Sequence, residues 1–285
     1  MSSPGGVPAA RSYLRAMTLT QIVALTSALA SAFFGAGHDA PKPADSPQTP
    51  AASSSRLQIT EGGTKEKPLV YDGKGQSVQG ITVEADNVVV RNYKADKPSA
   101  PGVELTGNNI TLQNVTVTSP QGGDGDGLRF FGNDLKILNN TIRGTSNTDG
   151  RHADCMQTFA DGTPASQRVL IEGNRCEQID NMCLMAEGPN DGEGDGHGHS
   201  SGFTLRNNYC ETLDASQALM IEDIQKLVVE GNTFAAKPDK AIGLAIHSTD
   251  ARIGKNTVSK DIGCYVGVDD SSRPGYQGPT PTCEP

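Results

Sequence analysis

The chain has 285 residues and a formal net charge of −9, with 33 Asp and Glu residues against 24 Lys and Arg residues. Such an acidic balance disfavours nucleic acids and anionic membrane surfaces as partners, because like charges repel. Trp is absent, aromatic residues make up 5% of the chain, and there are 33 Gly residues. This composition suits the narrow interior of stacked strands better than a broad globular core.

Residues 1–36 have the composition of an export signal. Arg11 and Arg15 precede an apolar stretch from about Leu19 to Phe34, which contains small residues near its end. The stretch is short for a membrane-spanning helix, although an uncleaved anchor is the alternative. Residues 37–55 are rich in Pro, Ala and Ser, which predicts a flexible linker without a fold of its own.

One strand-like pattern returns six times between residues 109 and 259. Each copy alternates apolar and polar residues and then reaches Asn or Gly, which is the period of a β-strand. The second apolar residues of the copies are Leu112, Ile137, Ile171, Leu205, Val229 and Ile253, and an earlier copy has Val90. Intervals of 22 to 34 residues, without helical stretches between them, predict a stacked β-solenoid.

Two further sets of residues repeat with the same intervals. The asparagines that follow the pattern are Asn140, Asn174, Asn208, Asn232 and Asn256. We expect them to stack as a ladder at a corner of the coil, although they could simply mark turns between ordinary strands. A second apolar column runs through Leu128, Met156, Leu184, Leu219, Leu244 and Tyr265. Each coil therefore contributes at least two inward-facing strands.

Together these repeats resemble the right-handed parallel β-helix of the pectate-lyase-like superfamily, over about Leu57 to Val268. The resemblance implies an all-β fold, a single-stranded right-handed parallel β-helix (solenoid) of about eight coils. We place this β-helix at residues 56–268 and a C-terminal tail and cap at residues 269–285. The fold carries lyases, hydrolases, esterases and non-catalytic proteins alike, so the resemblance is specific for architecture alone.

Six cysteines independently favour export to an oxidising compartment. Two pairs of them occupy the same column of the repeat on consecutive coils. Stacked rungs are about 4.8 Å apart, within the Cα window of a disulfide, so we expect partners along each column. The expected disulfides are Cys155–Cys183, Cys176–Cys210 and Cys264–Cys283. Reduced, stacked cysteines are the alternative, and the spacing predicts no zinc site.

Candidate site residues concentrate where the middle coils are lengthened, because insertions on a solenoid form loops on one face. Extra residues occur at about Arg143–Arg151, Asp161–Gln167 and Glu187–Ser201. The candidate catalytic residues are His152, Asp154, Glu187, His199, Glu222 and His247, and the candidate substrate-binding residues are Arg129, Arg151 and Gln157. For any single residue, solvated surface is the alternative, but their convergence beside inserted loops favours a site.

Two reactions fit these residue types. In a polysaccharide lyase, an arginine holds a uronate carboxylate and a histidine removes the neighbouring proton. A calcium ion could instead be held there by Asp154, Glu187 and Glu222, because hard oxygen ligands suit it. In a glycoside hydrolase, Glu187 and Glu222 would lie on neighbouring rungs, with carboxyl groups about 5 Å apart as in retaining enzymes.

The polygalacturonases, hydrolases with this fold, show a weaker resemblance. Their motifs Asn-Thr-Asp, Asp-Asp, Gly-His-Gly and Arg-Ile-Lys have counterparts in the same order. These are Asn147-Thr148-Asp149, Ala153-Asp154, Gly196-His197-Gly198 and Arg252-Ile253-Gly254. The spacing differs, Ala153 replaces one aspartate, and the repeat points Ile253 inward. We therefore interpret the match as a coincidence of order.

Taken together, the sequence predicts a secreted, extracellular, monomeric enzyme that cleaves a polysaccharide. A polysaccharide lyase acting on a uronate-containing glycan is the first hypothesis, and a polygalacturonase-like glycoside hydrolase is the second. A non-catalytic carbohydrate-binding or surface β-helix is the third, although outward aromatic residues that would stack on sugars are scarce. Calcium is the one candidate cofactor, and neither nucleic acid nor a membrane is expected as a partner of the mature form.

Overall fold

The structure is a computed structural model that describes residues 55–285. The expected export signal and nearly all of the expected linker lie outside these residues. Over the described part of the chain, three long sheets form, and in each sheet a strand pairs in parallel with the equivalent strand of the next coil. The predicted all-β parallel β-helix is therefore confirmed, with nine strands in one sheet and eight in each of the other two.

The strands are short and return in the same order in every coil. The first sheet contains Leu57–Ile59, Ile81–Glu84, Val103–Thr106, Leu128–Phe131, Met156–Thr158, Leu184–Glu187, Gln217–Glu222, Lys240–Ala245 and Cys264–Val268. The second contains Leu69–Asp72, Val88–Arg91, Ile110–Gln113, Lys136–Leu138, Leu170–Glu172, Thr204–Arg206, Val228–Glu230 and Arg252–Ile253. The third contains Ser77–Val78, Lys94–Asp96, Thr116–Thr118, Thr141–Thr145, Arg175–Ile179, Tyr209–Thr212, Thr233–Ala236 and Thr257–Val258.

Smaller elements complete the described chain. Ser200–Ser201 and Ile224–Gln225 form a two-stranded parallel sheet, and Thr148–Gly150 and Asp270–Ser272 are 3-10 helices. Within residues 55–285, no helix has the length and apolar character needed to cross a membrane.

The predicted apolar column lies in register along the second sheet. Its members are Val90, Leu112, Ile137, Ile171, Leu205, Val229 and Ile253. Each exposes 5% or less of its surface. A single three-residue or four-residue strand could not bury such a side chain alone, so the stacked coils supply the core.

The predicted asparagine ladder is also present. Asn174 Oδ1 accepts hydrogen bonds from the backbone N and the Nδ2 of Asn140, at 2.9 and 3.0 Å. Asn208, Asn232 and Asn256 repeat this arrangement on the following rungs. Each buried amide thus satisfies the backbone of the preceding corner, which is why Asn recurs at this position.

One alignment from the sequence is wrong near the end of the first sheet. Leu219 pairs with Ile242, and Ile242 pairs with Val266 on the next rung. The repeat in the sequence predicts Leu244 and Tyr265 at these two positions. The strand between them is buried at four consecutive positions. Without alternating apolar and polar residues, the sequence does not mark the register of that strand.

Two of the three disulfides join partners other than those predicted. Cys155 pairs with Cys176 and Cys183 pairs with Cys210, which replaces Cys155–Cys183 and Cys176–Cys210. Stacked rungs hold their Cα–Cβ bonds parallel, so stacked Cβ atoms stay about 4.8 Å apart, beyond the roughly 3.5–4.5 Å that a disulfide requires. Side chains that converge from two sheets meet this requirement. Cys264–Cys283 is formed as expected.

The C-terminal tail adds strand partners to the last coil. Gln277 bridges to Arg252 of the second sheet, and Cys283 bridges to Gly267 of the first. The tail also packs on Gly243, where the backbone of Pro285 lies 3.4 Å from the position of a Cβ atom. Strand edges at this end of the β-helix are therefore partly paired.

Candidate functional site

The outer side of the first sheet carries two columns of side chains, which we call the site face. The first column contains Arg129, Gln157, Met185 and Met220 in register. The second contains Glu187 and Glu222 in register, with Phe159 one rung before Glu187. Alternation along each strand points these residues outward, while Leu184, Ala186 and their equivalents fill the core.

Glu187 and Glu222 are both half-buried on this face. Burial, with the nearby charges of Asp191 and Glu222, raises the pKa of Glu187 to about 8. Burial and the charge of Asp191 also raise the pKa of Glu222. Two carboxyl groups that interact in this way lose their protons one after the other as pH rises. Between the two steps, one carboxyl is protonated while the other is ionised.

Asp154 forms the buried end of a second titratable pair. Its Oδ1 accepts hydrogen bonds from Asn181 Nδ2 at 2.8 Å and from the Met182 backbone N at 2.9 Å. Its Oδ2 lies 3.6 Å from His152 Nδ1 and accepts no hydrogen bond from the described residues. Burial raises the pKa of Asp154, and the contact with Asp154 raises the pKa of His152.

Arg129 is fixed by two aspartates. Its Nε donates to Asp126 at 2.7 Å and its Nη2 donates to Asp124 at 2.6 Å. The guanidinium also lies 5.6 Å from the centre of the Phe159 ring. Burial and the charge of Asp154 raise the pKa of Asp126 to about 6, although Arg129 acts in the opposite direction. The charge of Arg129 is therefore largely balanced within the protein.

Arg151 and Gln157 are the other two predicted binding residues. Arg151 Nη2 lies 3.4 Å from Asp149, in an exposed loop. Gln157 exposes only 9% of its surface, and its Nε2 contacts Met185 Sδ at 3.4 Å. The Oε1 of Gln157 has no hydrogen-bond partner within residues 55–285, which is uncommon for a buried amide.

His199 belongs to the inserted loop that follows Glu187. Its Nδ1 makes a short contact with Oδ1 of Asp223, a fully buried residue. No hydrogen bond or ion pair in the described chain joins His199 to Glu187 or Glu222. Its direct partner is therefore Asp223, the residue after Glu222, and not the carboxyl pair itself.

His247 does not stand in the column of Glu187 and Glu222. Glu222 pairs with Ala245 on the next rung, so His247 lies two residues beyond the equivalent position. His247 is exposed, and its backbone N donates to Ser271 Oγ at 2.8 Å. The register of this strand, which the sequence does not mark, accounts for the wrong alignment of His247 with Glu222.

The polygalacturonase-like residues do not form a site. Asp149 pairs with Arg151, His197 is exposed in its loop, and Ile253 is buried in the core. No hydrogen bond or ion pair in the described chain joins Asp149, His197 and Ile253 to one another.

Two aspartates of this region were not among the predicted site residues. Asp126 stands two residues before Leu128, as Asp154 stands two before Met156, so the repeat contains a signal for it. Asp223 directly follows Glu222 at a turn, and no repeated pattern marks it. Both are buried and in contact with a predicted site residue.

No group of three His, Cys, Asp or Glu side chains in residues 55–285 is arranged to hold a metal ion. The expectation of calcium at Asp154, Glu187 and Glu222 therefore rests on residue type alone.

No family model and no curated protein matches the chain. Two solved structures are similar, both catalytic domains of a GH87 alpha-1,3-glucanase, one a variant in complex with tetrasaccharides and one in complex with nigerose. They are 11% and 10% identical, cover 73% and 78% of this chain, and have TM-scores of 0.37 and 0.36. This chain spans about half of each domain, 47% and 51%. A likeness of this degree carries no inference about the reaction or the substrate of this chain.

Proposed function

We propose that the chain is a glycoside hydrolase that cleaves a polysaccharide at the pair Glu187 and Glu222. The observation that supports this most is the position of two half-buried carboxyls on adjacent rungs, with the pKa of Glu187 raised to about 8. Glycosidic cleavage by this route requires one carboxyl that holds a proton and one that is ionised.

In the proposed reaction, Glu187 is the general acid. It donates its proton to the glycosidic oxygen as the bond to the anomeric carbon breaks. Ionised Glu222 attacks that carbon and forms a glycosyl ester, which water then hydrolyses while Glu187 accepts the proton of the water. Neighbouring rungs are about 4.8 Å apart, close to the roughly 5–5.5 Å between the carboxyls of retaining enzymes.

The charge of the site face favours a neutral glycan over a uronate. Asp191 and Glu193 add negative charge beside Glu187, and Arg129 is already paired with aspartates. A uronate would meet net negative charge unless a cation were bound with it. For this reason we rank hydrolysis above the lyase reaction, which the sequence placed first.

The disulfides favour an extracellular enzyme. Three of them occur in the described chain, and disulfides persist in oxidising compartments. An enzyme in that environment would meet polysaccharides as polymers, which an open sheet face can accommodate.

The experiment that tests this function is incubation of the protein with a panel of neutral and uronate glycans, with and without a chelator. New reducing ends from a neutral glycan, without absorbance near about 235 nm, would support hydrolysis; that absorbance reports the unsaturated uronate of a lyase. Chelator-sensitive absorbance would replace the proposal by a metal-assisted lyase. Binding to a glycan without any product would favour the non-catalytic β-helix.

A further inference from the structure

Asp223 is a buried carboxylate next to the proposed catalytic pair, and it holds a loop in place. It follows Glu222 directly and exposes 0% of its surface. Its Oδ2 accepts hydrogen bonds from the backbone N of Asn190 at 2.9 Å and from Asn190 Nδ2 at 2.7 Å. Its Oδ1 contacts His199 Nδ1. Among residues 55–285, the hydrogen bonds of this carboxylate therefore all go to the inserted loop at residues 188–199.

The two partners lie near opposite ends of that loop. Asn190 Nδ2 also donates to the Gly198 carbonyl at 2.8 Å, and Gly188 N donates to the Glu222 carbonyl at 2.8 Å. One side chain thus ties both ends of the loop to the end of the strand that carries Glu222. Gly188 packs so closely that a Cβ atom there would lie 2.8 Å from Asp223 Oδ2.

The loop carries two of the charges that act on the carboxyl pair, those of Asp191 and Glu193. Among neighbouring charges, that of Asp191 raises the pKa of Glu187 and the pKa of Glu222 most. The charge of Glu193 also raises the pKa of Glu187. The Asp191 carboxylate is itself fixed, because it accepts hydrogen bonds from Glu193 N and Gly194 N at 2.9 Å. Removal of the loop from the sheet would therefore remove Asp191 from the carboxyl pair.

We propose that Asp223 is a positioning residue that holds the loop at residues 188–199 against the strand end, so that Asp191 stays beside Glu187 and Glu222. A role of Asp223 in catalysis rests on the hydrolase proposal. The effect of Asp223 on the pKa of Glu187 does not depend on that proposal. The charged or titratable groups that face Glu187 are Asp154, His152, Asp191, Glu193 and Glu222. Asp223 is not among them, so its effect on Glu187 would pass through the loop.

The test is direct titration of Glu187 by NMR of the labelled side-chain carboxyl, which needs no turnover. We compare the wild type with Asp191→Asn, Asp223→Asn and the double variant. The control is Asp134→Asn, which changes a half-exposed aspartate paired with Arg168. Each single variant at the loop should lower the pKa of Glu187 by about one to two units, as loss of a charge a few Å away does. The double variant should shift it less than the sum of the two, and Asp134→Asn should leave it unchanged.

An unchanged pKa of Glu187 in Asp223→Asn, or fully additive shifts, would overturn the proposal. If Asp223→Asn does not fold, Asn190→Ala releases the same loop while keeping the buried carboxylate, and the same shift is expected. Titration that follows the prediction in a protein that cleaves no glycan would contradict the hydrolase function and leave the role of Asp223 standing.

Discussion

Glu187 and Glu222 are separated by a whole coil in the sequence but lie directly beside each other on the first sheet, at the same register position of adjacent strands. Their neighbours are not equal, because Glu187 also receives the charges of Glu193 and Asp154. Stacking of coils thus brings two identical side chains together in different electrostatic surroundings. The pH dependence of activity and that of stability both depend on this difference.

Activity should follow a bell-shaped pH profile. Glu187 acts as an acid and must be protonated, so kcat/KM should fall as pH rises through about 8. Glu222 must be ionised, and its raised pKa should put the acidic limb above 4.5, the ordinary value of a glutamate. A profile of initial rates measured between about pH 4 and pH 10 tests this. Activity that stays constant across about pH 8 would remove Glu187 from the role of acid.

The same carboxyl should make stability depend on pH. The folded pKa of Glu187 lies above its unfolded value of 4.5, so its favourable contribution is complete below that value and is lost as pH rises towards about 8. Between these limits, Tm should fall more in the wild type than in Glu187→Gln, which cannot ionise. Equal slopes of Tm against pH in the two proteins would show that Glu187 is not perturbed.

Cleavage should retain the configuration of the anomeric carbon. The two glutamates stand on neighbouring rungs. Neighbouring rungs are about 4.8 Å apart, which is too close for the intervening water of an inverting enzyme. Proton NMR of the first product formed should therefore show the anomer present in the substrate. The opposite anomer would require a more distant carboxylate, such as one on an alternate rung.

Peptide mapping under non-reducing conditions should recover the disulfides Cys155–Cys176 and Cys183–Cys210. Each closes a loop across two sheets, with sequence separations of 21 and 27 residues. Replacement of both cysteines of either pair by Ser should cost about 2–4 kcal/mol of unfolding free energy in urea. Recovery of Cys155 linked to Cys183 would contradict these pairs and support the disulfides predicted from the sequence repeat.

Asn174→Ala should destabilise the β-helix by about 2–4 kcal/mol, since each buried polar group left without a partner costs about 1–3 kcal/mol. The substitution removes the partner of the Ile137 carbonyl and of the Asn140 backbone N. Asn207→Gly is the matched control at an exposed corner with φ of 56°, where Gly is well tolerated. Urea denaturation should show a change within about 0.5 kcal/mol for the control.

The fold could be predicted because every coil repeats the same physical requirement. Ile137, Ile171 and Leu205 fill the same interior position, and Asn174 satisfies the same corner as Asn208. Each copy in the sequence therefore adds independent support for one arrangement. The adjacency of Glu187 and Glu222 followed from that register.

Features that depend on side-chain direction or on single positions were not predictable in this way. The disulfide partners of Cys155 and Cys183 depend on which way the Cβ atoms point, and strand period does not contain that information. His247 was misplaced because its strand lacks alternation. Asp223 occurs once, after Glu222, and its role appears only when the loop at residues 188–199 is folded over it.

The most direct test of the account compares Glu187→Gln and Glu222→Gln with the wild type on whichever glycan the wild type cleaves. Both substitutions keep the size of the side chain and remove the ionisable group. Each should lower the rate of reducing-end formation by about 100-fold to 10,000-fold, while Tm does not fall below that of the wild type and glycan binding is retained. Glu230→Gln, an exposed glutamate at a strand end of the second sheet, should keep the wild-type rate. Wild-type rates in Glu187→Gln or Glu222→Gln would show that these two glutamates are not the catalytic pair.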